Sequence, residues 1–113
     1  MLLYVIAPSP DGPCKVGYGK APHKRLISLQ IGNHLELKLW SVWKIGGDIA
    51  TAERRVHYRL GRSYIRGEWF AVSVADAEEA CAKAGLVCVP IADGTYDFTR
   101  RAKPGDTRLS WLC

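Results

Sequence analysis

Two short apolar segments near the start of the chain have the composition of paired β-strands. Residues 2–6 are aliphatic and aromatic, and residues 14–18 form a second short run of the same kind. Between them, residues 8–13 contain three prolines, one aspartate and one glycine, which is the chemistry of a turn. We therefore predict that the chain begins with a β-hairpin.

Three later segments show the helical spacing of apolar side chains. They cover residues 20–31, 49–60 and 74–84. Asp48 and Ser73 precede the second and third segments, where a side-chain oxygen can accept a hydrogen bond from the first helical turn. We predict three helices, each followed by a glycine that ends it.

The alternation of polar and apolar side chains over residues 35–45 predicts a third strand. Leu37 and Leu39 should face one side of the sheet, and Trp40 and Val42 should face the other. A pair of glycines directly after this segment is expected to end the strand.

The order of these elements predicts an α+β fold with a small three-stranded mixed or antiparallel sheet flanked by helices. Residues 63–70 are expected to form a loop between the last two helices. The length of 113 residues is enough for one packed core. We assign residues 1–85 to this domain, and residues 86–113 to a C-terminal extension with a short strand and a basic tail.

The charge balance adds a class of partner to this picture. The chain has 16 lysines and arginines against 11 aspartates and glutamates, and its formal net charge is +5. A basic surface attracts polyanions such as nucleic acids. The alternative is a soluble domain whose surface happens to favour lysine and arginine.

The cysteines and the hydropathy bear on the compartment. Four cysteines are present, but no two have the C-x-x-C spacing of a zinc ribbon or redox site. The apolar start is too short for a secretory signal, and no run approaches the ~20 apolar residues of a membrane span. We expect reduced thiols, a cytoplasmic protein and no membrane partner.

Tyr4 and Lys15 lie on the two predicted strands of the hairpin. Facing residues of a hairpin are ~5 Å apart at Cβ, so these side chains are expected to meet. An ammonium group beside a phenol lowers the pKa of the phenol, which would suit Tyr4 to act as a general base. The simpler interpretation is that Tyr4 packs in the core and its hydroxyl finds one partner.

A basic cluster marks the start of the first predicted helix. Arg25 has Lys20, His23 and Lys24 around it. A guanidinium group fits phosphate oxygens two at a time, and a helix N-terminus attracts anions. The cluster predicts a phosphate clamp, although a charge cluster on a helix is most often a solvated face.

Glu53 and His57 are four residues apart on the second predicted helix and therefore share one face. Glu53 falls on or beside the apolar stripe, where a carboxylate is costly unless it is paired or bound to metal. One carboxylate can hold Mg²⁺, which keeps several waters. The alternative is an exposed ion pair worth roughly a few tenths of a kcal/mol. Glu68 ranks below Glu53 as a candidate ligand.

The ordered series of these residues resembles the GIY-YIG nuclease superfamily over roughly residues 2–70. Leu-Leu-Tyr at 2–4 stands where that family has Gly-Ile-Tyr, and Lys-Val-Gly at 15–17 stands where it has Tyr-Ile-Gly. Arg25 follows at the spacing of the family's helix arginine. With Glu-x-x-x-His at 53–57 and Gly-Glu-Trp-Phe at 67–70, the pattern is similar to a phage-type branch often described only as DNA-binding.

The resemblance implies a GIY-YIG-like fold and a metal-dependent endonuclease. Tyr4 would activate the attacking water, with assistance from Lys15, and Arg25 would stabilise the scissile phosphate. Glu53 would bind a single Mg²⁺ or Mn²⁺, and His57 would position the water or the phosphate. The chain departs from the family in its first two leucines, in Lys15 and in having no assignable asparagine after Glu53.

Two functions follow from this pattern. The first is a metal-dependent DNA endonuclease, and the second is a module on the same fold that binds DNA or RNA without cleaving it. A protein partner is a further source of sequence specificity. The residues expected to contact nucleic acid are Lys20, His23 and Lys24 in the domain and Arg100, Arg101 and Lys103 in the tail.

A third hypothesis is a protein-interaction domain. It depends on tryptophans presented to solvent, and the candidates are Trp40, Trp43 and Trp111.

Overall fold

The hairpin at the start of the chain forms the centre of the sheet. In the computed structural model, which describes residues 1–90, β1 (Leu2–Ala7) pairs antiparallel with β2 (Cys14–Gly19). The pairing places Tyr4 opposite Gly17. The predicted hairpin is confirmed, and each strand extends one residue beyond the predicted segment.

The other elements follow the predicted order with several additions. The chain continues through α1 (Pro22–Gln30), β3 (Lys38–Lys44), α2 (Ile49–Leu60), β4 (Tyr64–Arg66), β5 (Trp69–Phe70), α3 (Val74–Lys83) and β6 (Val87–Cys88).

Predictions for the remainder of the chain lie outside the described residues. They concern the basic tail with Arg100, Arg101 and Lys103, and Trp111 as a docking side chain.

The sheet is larger than predicted. Within residues 1–90 it has six strands in the order β4-β5-β2-β1-β3-β6, and every neighbouring pair is antiparallel. The α+β class is confirmed, but the prediction of three strands is wrong. The three additional strands have two or three residues each, which is too short to show a period of two. Two of them, β4 and β5, lie in the segment predicted as a loop.

A β-bulge in β3 changes which of its side chains share a face. Ser41 pairs with Val5, and Leu39 pairs with the next residue of β1, so Trp40 is an extra residue on β3. Leu39 and Val42 consequently lie in one apolar cluster, and Trp40 lies in another. The predicted alternation is wrong across this point, because a one-residue shift moves each following side chain to the other face.

Each face of the sheet has its own core. Helices α2 and α3 contribute to a cluster with Leu3, Val5 and Val16, and the second cluster contains Tyr4 and Ile6 with side chains of α1 packed against it. Odd and even residues of β1 therefore point to different cores, as the pleat of a strand requires.

Trp40 and Trp43 belong to the core. They are 1% and 2% exposed. The indole N–H of Trp40 donates to the Ala7 carbonyl at 2.9 Å, and that of Trp43 donates to the Ser41 hydroxyl at 2.8 Å. The hypothesis of a protein-interaction domain that presents these two tryptophans is wrong, because both fill the space between the sheet and the helices.

The two predicted N-caps are confirmed. The Asp48 carboxylate accepts from the Ala50 amide at 3.1 Å and from the Thr51 hydroxyl at 2.8 Å. The Ser73 hydroxyl accepts from the Asp76 amide at 3.1 Å. These caps place the starts of α2 and α3 where the sequence predicts them.

Within the described part of the chain, no helix combines the length and apolar character that crossing a membrane requires.

Two thiols are buried in the larger core. Cys14 and Cys81 are free and 0% exposed. Burial, and then the negative charge of Glu78, raises the pKa of Cys14 to about 12. Burial likewise raises the pKa of Cys81 well above its ordinary value, with Glu78 again the next cause. The core therefore accommodates only the neutral thiol.

The free energy of unfolding should fall as the solution becomes alkaline. A thiol in the unfolded chain titrates near pH ~8.5, whereas the folded Cys14 holds its proton up to about pH 12. The contribution of the neutral thiols to the free energy of unfolding is complete below the thiol pKa of the unfolded chain. Above that pKa it declines by up to about 1.4 kcal/mol per pH unit for each thiol. Urea unfolding between about pH 7.5 and 10.5 measures this slope. In Cys14→Ala and Cys81→Ala the free energy of unfolding should fall less steeply with pH than in the unaltered protein. Equal slopes would contradict the raised pKa of these two thiols.

Candidate active site

Helix α2 carries a carboxylate to the edge of the core. Ala52, Val56 and Leu60 form its buried apolar side, and Glu53 lies beside them with 9% of its surface exposed. This confirms the predicted position of Glu53 at the apolar stripe. Its Oε2 atom is buried and has no hydrogen-bond partner among the described residues. Because an unpartnered buried oxygen of this kind is costly, Glu53 is placed to receive a cation or a proton.

Glu68 lies against Glu53, and sequence reasoning underestimated it. It precedes β5, and its carboxyl group hydrogen-bonds with that of Glu53. Burial raises the pKa of Glu53, and the hydrogen bond and negative charge of Glu68 raise it further, against the opposing charge of Lys15. Two carboxyl groups in this contact must share a proton or a cation. The Gly-Glu-Trp-Phe segment was the available signal, but it did not identify the partner.

Lys15 binds Glu68 instead of facing Tyr4. Its Nζ atom is 3.1 Å from Glu68 Oε1 and 5.9 Å from the centroid of the Trp69 ring, and the residue is 7% exposed. Tyr4 lies opposite Gly17 and Lys15 lies opposite Ile6, so Lys15 is two pairs further along the hairpin, where β2 also pairs with β5. The predicted direct pairing of Lys15 with Tyr4 is therefore wrong in register, although both side chains belong to the same site.

The phenol of Tyr4 interacts with Arg25. Burial raises the pKa of Tyr4 above its ordinary value. A hydrogen bond to Arg25 and the charge of Arg25 lower it, but the charges of Glu68 and Glu53 raise it again. The expectation that a neighbouring lysine lowers this pKa is wrong in direction, because the phenol is buried beside two carboxyl groups.

Gly17 leaves the space in which these groups meet. A Cβ atom at Gly17 would lie 2.6 Å from Glu68 Oε1 and 2.7 Å from the Tyr4 hydroxyl oxygen. Both distances are far shorter than an ordinary van der Waals contact. The missing side chain on β2 thus lets the phenol of β1 and the carboxylate before β5 approach each other.

His57 completes the acidic cluster. Its Nε2 atom is 2.8 Å from the Val16 carbonyl oxygen, and its ring centroid is 5.0 Å from that of Phe70. A carbonyl oxygen only accepts, so Nε2 carries a hydrogen, and in the neutral form of the ring the lone pair is on Nδ1. One ligand atom each from Glu53, His57 and Glu68 lie within 4.8 Å of one another, which is close enough to hold one metal ion.

A groove of about 640 Å³ leads to this cluster. Tyr4 and Glu68 line it together with three cations of the loop and first turns of α1, which are Lys20, Lys24 and Arg25. The predicted basic cluster therefore lies beside the predicted catalytic residues. His23 is half-buried on α1 and does not line the groove.

The five predicted catalytic residues converge at one place. Tyr4, Lys15, Arg25, Glu53 and His57 come from β1, β2, α1 and α2, and Glu68 contacts or approaches several of them. The arrangement has cations that suit a phosphate on one side and oxygen and nitrogen ligands that suit a metal on the other.

A second basic surface was missed at the sequence level. It is a groove of about 1020 Å³ formed by α2 and the end of α3, and no acidic side chain of residues 1–90 lines it. We call it the arginine groove, and its charged residues are Arg54, Arg55, Arg59, Arg62 and Lys83. Tyr58 lies among them and is 89% exposed. The signal was the density of arginines at 54–62, which is easily taken for an ordinary solvated helix face.

These features define a small α+β protein in which acidic and basic side chains cluster at the edge of an antiparallel sheet. The T5orf172 domain matches residues 1–85, so the chain belongs to the T5orf172 domain family. That domain occurs in phage-type and homing-endonuclease-like proteins, which suggests a nuclease-like or nucleic-acid-binding role. No curated protein and no solved structure matches the chain.

Replacing Gly17 with alanine should disturb this site. The new methyl group would overlap the ends of the Tyr4 and Glu68 side chains, and overpacking of this kind costs about 1–3 kcal/mol. Gly19→Ala is the matched control, because its Cβ atom would meet nothing closer than Tyr4 Cε2 at 4.0 Å. Urea unfolding should show a loss for Gly17→Ala and a change within about 1 kcal/mol for Gly19→Ala. Equal effects would show that the close approach over Gly17 does not matter.

Proposed function

We propose that this domain is a metal-dependent DNA endonuclease of the GIY-YIG type, which hydrolyses phosphodiester bonds. The observation that carries the proposal is that Tyr4 and Arg25 line one groove with Glu68, whose carboxyl group lies beside that of Glu53, although these residues come from separate elements. A phenol, a guanidinium and a carboxylate in contact with a basic groove are the groups that such a reaction needs for base, phosphate and metal.

Arg25 is the phosphate-binding group in this proposal. It is exposed on α1, and Lys20 and Lys24 line the same groove. Its guanidinium group can donate two parallel hydrogen bonds to phosphate oxygens, and this interaction strengthens as charge develops on them. The two lysines supply attraction for the flanking backbone.

Glu53 fits a divalent cation because its buried Oε2 atom has no partner within the described chain. Glu68 and His57 lie within 4.8 Å of it with their own ligand atoms. Mg²⁺ or Mn²⁺ at this position would polarise the scissile phosphate and the leaving oxygen.

Tyr4 serves as the general base. Its hydroxyl lies next to Arg25, and its pKa is raised by burial and by the charges of Glu68 and Glu53. Neutralising those two carboxylates with a bound cation removes two of the causes that disfavour the phenolate. A bound cation therefore makes the phenolate of Tyr4 easier to form, although burial still opposes it. Lys15 assists by holding Glu68 in place.

Nicking of a supercoiled plasmid tests the proposal. With Mg²⁺ or Mn²⁺ the protein should nick DNA, and Glu53→Gln, Tyr4→Phe and Arg25→Ala should each lower the rate at least about 100-fold, because each removes a group required in the transition state. Glu79→Gln is the control, since Glu79 pairs with Lys83 on the surface of α3 at 2.8 Å. The proposal fails if the unaltered protein does not nick DNA with either metal, or if nicking persists in Glu53→Gln.

Nucleic-acid binding without cleavage is the second candidate function. The arginine groove favours it, because five cations surround an exposed tyrosine and no catalytic group is among them. Such a surface suits the phosphate backbone, with the tyrosine ring available for stacking on a base.

The salt dependence of duplex binding tests the arginine groove. Arg55→Ala and Arg59→Ala should each reduce the slope of log affinity against log salt by up to about 0.9, the value for one phosphate contact. Lys44→Ala is the control, because Lys44 is exposed at the end of β3, outside both grooves. Slopes that match the Lys44→Ala control would remove the arginine groove from the binding surface. Binding with these slopes but without nicking would favour the second function.

A further inference from the structure

We propose that the metal site is a three-ligand centre formed by Glu53, His57 and Glu68, and that it selects a first-row transition metal over Mg²⁺. The inference rests on the proposed function only in placing a divalent cation at Glu53. The other two ligands and the choice of metal follow from the surroundings of each donor atom.

The three donors already occupy the geometry of a small coordination sphere. Their ligand atoms lie within 4.8 Å of one another, which a single ion with bonds of about 2.0–2.2 Å can bridge after small side-chain movements. Glu53 is nine-tenths buried with an unpartnered Oε2 atom, so at least one donor is aimed into the cluster without another use.

His57 is oriented for metal binding. Its Nε2–H group donates to the Val16 carbonyl at 2.8 Å, and Phe70 packs against its ring. This contact leaves the lone pair on Nδ1. A second hydrogen bond of this type is the usual way in which a protein fixes the tautomer and angle of a histidine ligand.

Glu68 is held in place by a lysine. Lys15 Nζ binds its Oε1 atom at 3.1 Å, which leaves the second carboxylate oxygen for the metal. Lys15 is nearly buried and also packs over the Trp69 ring, so it cannot swing away easily. The lysine that stands at the family's second tyrosine position therefore acts as a positioning residue for a metal ligand.

The donor set decides the metal. Mg²⁺ prefers oxygen ligands in a regular octahedron and gives up its waters reluctantly. An imidazole nitrogen instead suits Fe²⁺, Ni²⁺, Cu²⁺ or Zn²⁺, and Mn²⁺ binds such a donor set most weakly of the first-row ions, so a preference measured with Mn²⁺ is a lower bound for the others. Glu68 also lines the groove that contains Tyr4 and Arg25, so the open coordination positions would face a phosphate held there.

Electron paramagnetic resonance of Mn²⁺ tests the inference without DNA. Adding protein should remove the signal of free Mn²⁺, and a tenfold molar excess of Mg²⁺ over Mn²⁺ should displace less than half of the bound ion. Pulsed spectra of bound Mn²⁺ should show coupling to a directly bound ¹⁴N nucleus. Competition with Mg²⁺ gives the affinity for the second metal.

Two substitutions test the contributions of His57 and Glu68 to metal binding separately. His57→Gln keeps a donor for the Val16 carbonyl but removes the imidazole, so Mn²⁺ affinity should fall at least about tenfold, Mg²⁺ affinity should change less than about threefold and the ¹⁴N coupling should vanish. Glu68→Gln should weaken both metals at least about tenfold. His34→Ala and Glu79→Gln, at an exposed histidine and at the surface pair with Lys83, are matched controls and should change neither affinity. Urea unfolding confirms that each variant is folded.

The outcomes distinguish this inference from the proposed function. If Glu53→Gln abolishes Mn²⁺ binding while His57→Gln and Glu68→Gln have no effect, the site has one protein ligand and the inference is overturned. Absence of ¹⁴N coupling, or equal affinity for the two metals, overturns it as well. Mn²⁺ binding through all three ligands in a protein that never nicks DNA would support the inference and end the endonuclease proposal.

Discussion

The contact between the carboxyl groups of Glu53 and Glu68 is the constraint on which the rest of the site depends. Both would carry charge if ionised, and Lys15 neutralises only one of them. Glu53 is buried and Glu68 is half-buried, so a further positive species, either a proton or a metal cation, stabilises the pair. Burial raises the pKa of Tyr4 most, and the charges of Glu68 and Glu53 raise it further against the effect of Arg25, so the charge of the acidic pair bears on the ionisation of this phenol.

The fold serves this contact by bringing separate segments to one edge of the sheet. The apolar stripe of α2 anchors the helix on the core, and Glu53 lies at the margin of that stripe. The short β4–β5 hairpin delivers Glu68 to the outer side of β2, where the Val16 amide donates to its carbonyl oxygen at 3.0 Å. Gly17 then leaves the gap in which the side chains meet. A slip of one residue in β2 would put a side chain into that gap.

Much of this architecture could be predicted from the sequence, and the reasons for the failures are physical. Helix α2 has the predicted bounds because twelve residues give a clear helical period and Asp48 caps it. The strands β4 and β5 were missed because pairing with neighbours, and not local preference, makes strands of two or three residues, whereas β6 lies in the extension for which a short strand was predicted. The bulge at Trp40 is equally a product of pairing with β1.

In the candidate site, too, features carried by the local sequence could be predicted, and features set by contacts between distant segments could not. Tyr4, Arg25 and Glu53 could be identified because residue type, order and spacing carry the signal. The partners of these residues could not, because they depend on register and on contacts between distant segments. Lys15 was expected to face Tyr4 but binds Glu68, and Glu68 was ranked too low because its importance depends on its contact with Glu53, a residue distant in sequence.

Helix α2 also links the proposed metal ligands to the arginine groove. It presents Glu53 and His57 on one side, and it carries most of the arginine groove on another. Because a packed helix moves as a rigid unit, a nucleic acid bound along the arginine groove would be fixed relative to the metal ligands. Binding and hydrolysis would then share one element but use different side chains. The arginines can therefore contribute affinity whether or not the acidic cluster on the other side of the helix is able to cleave.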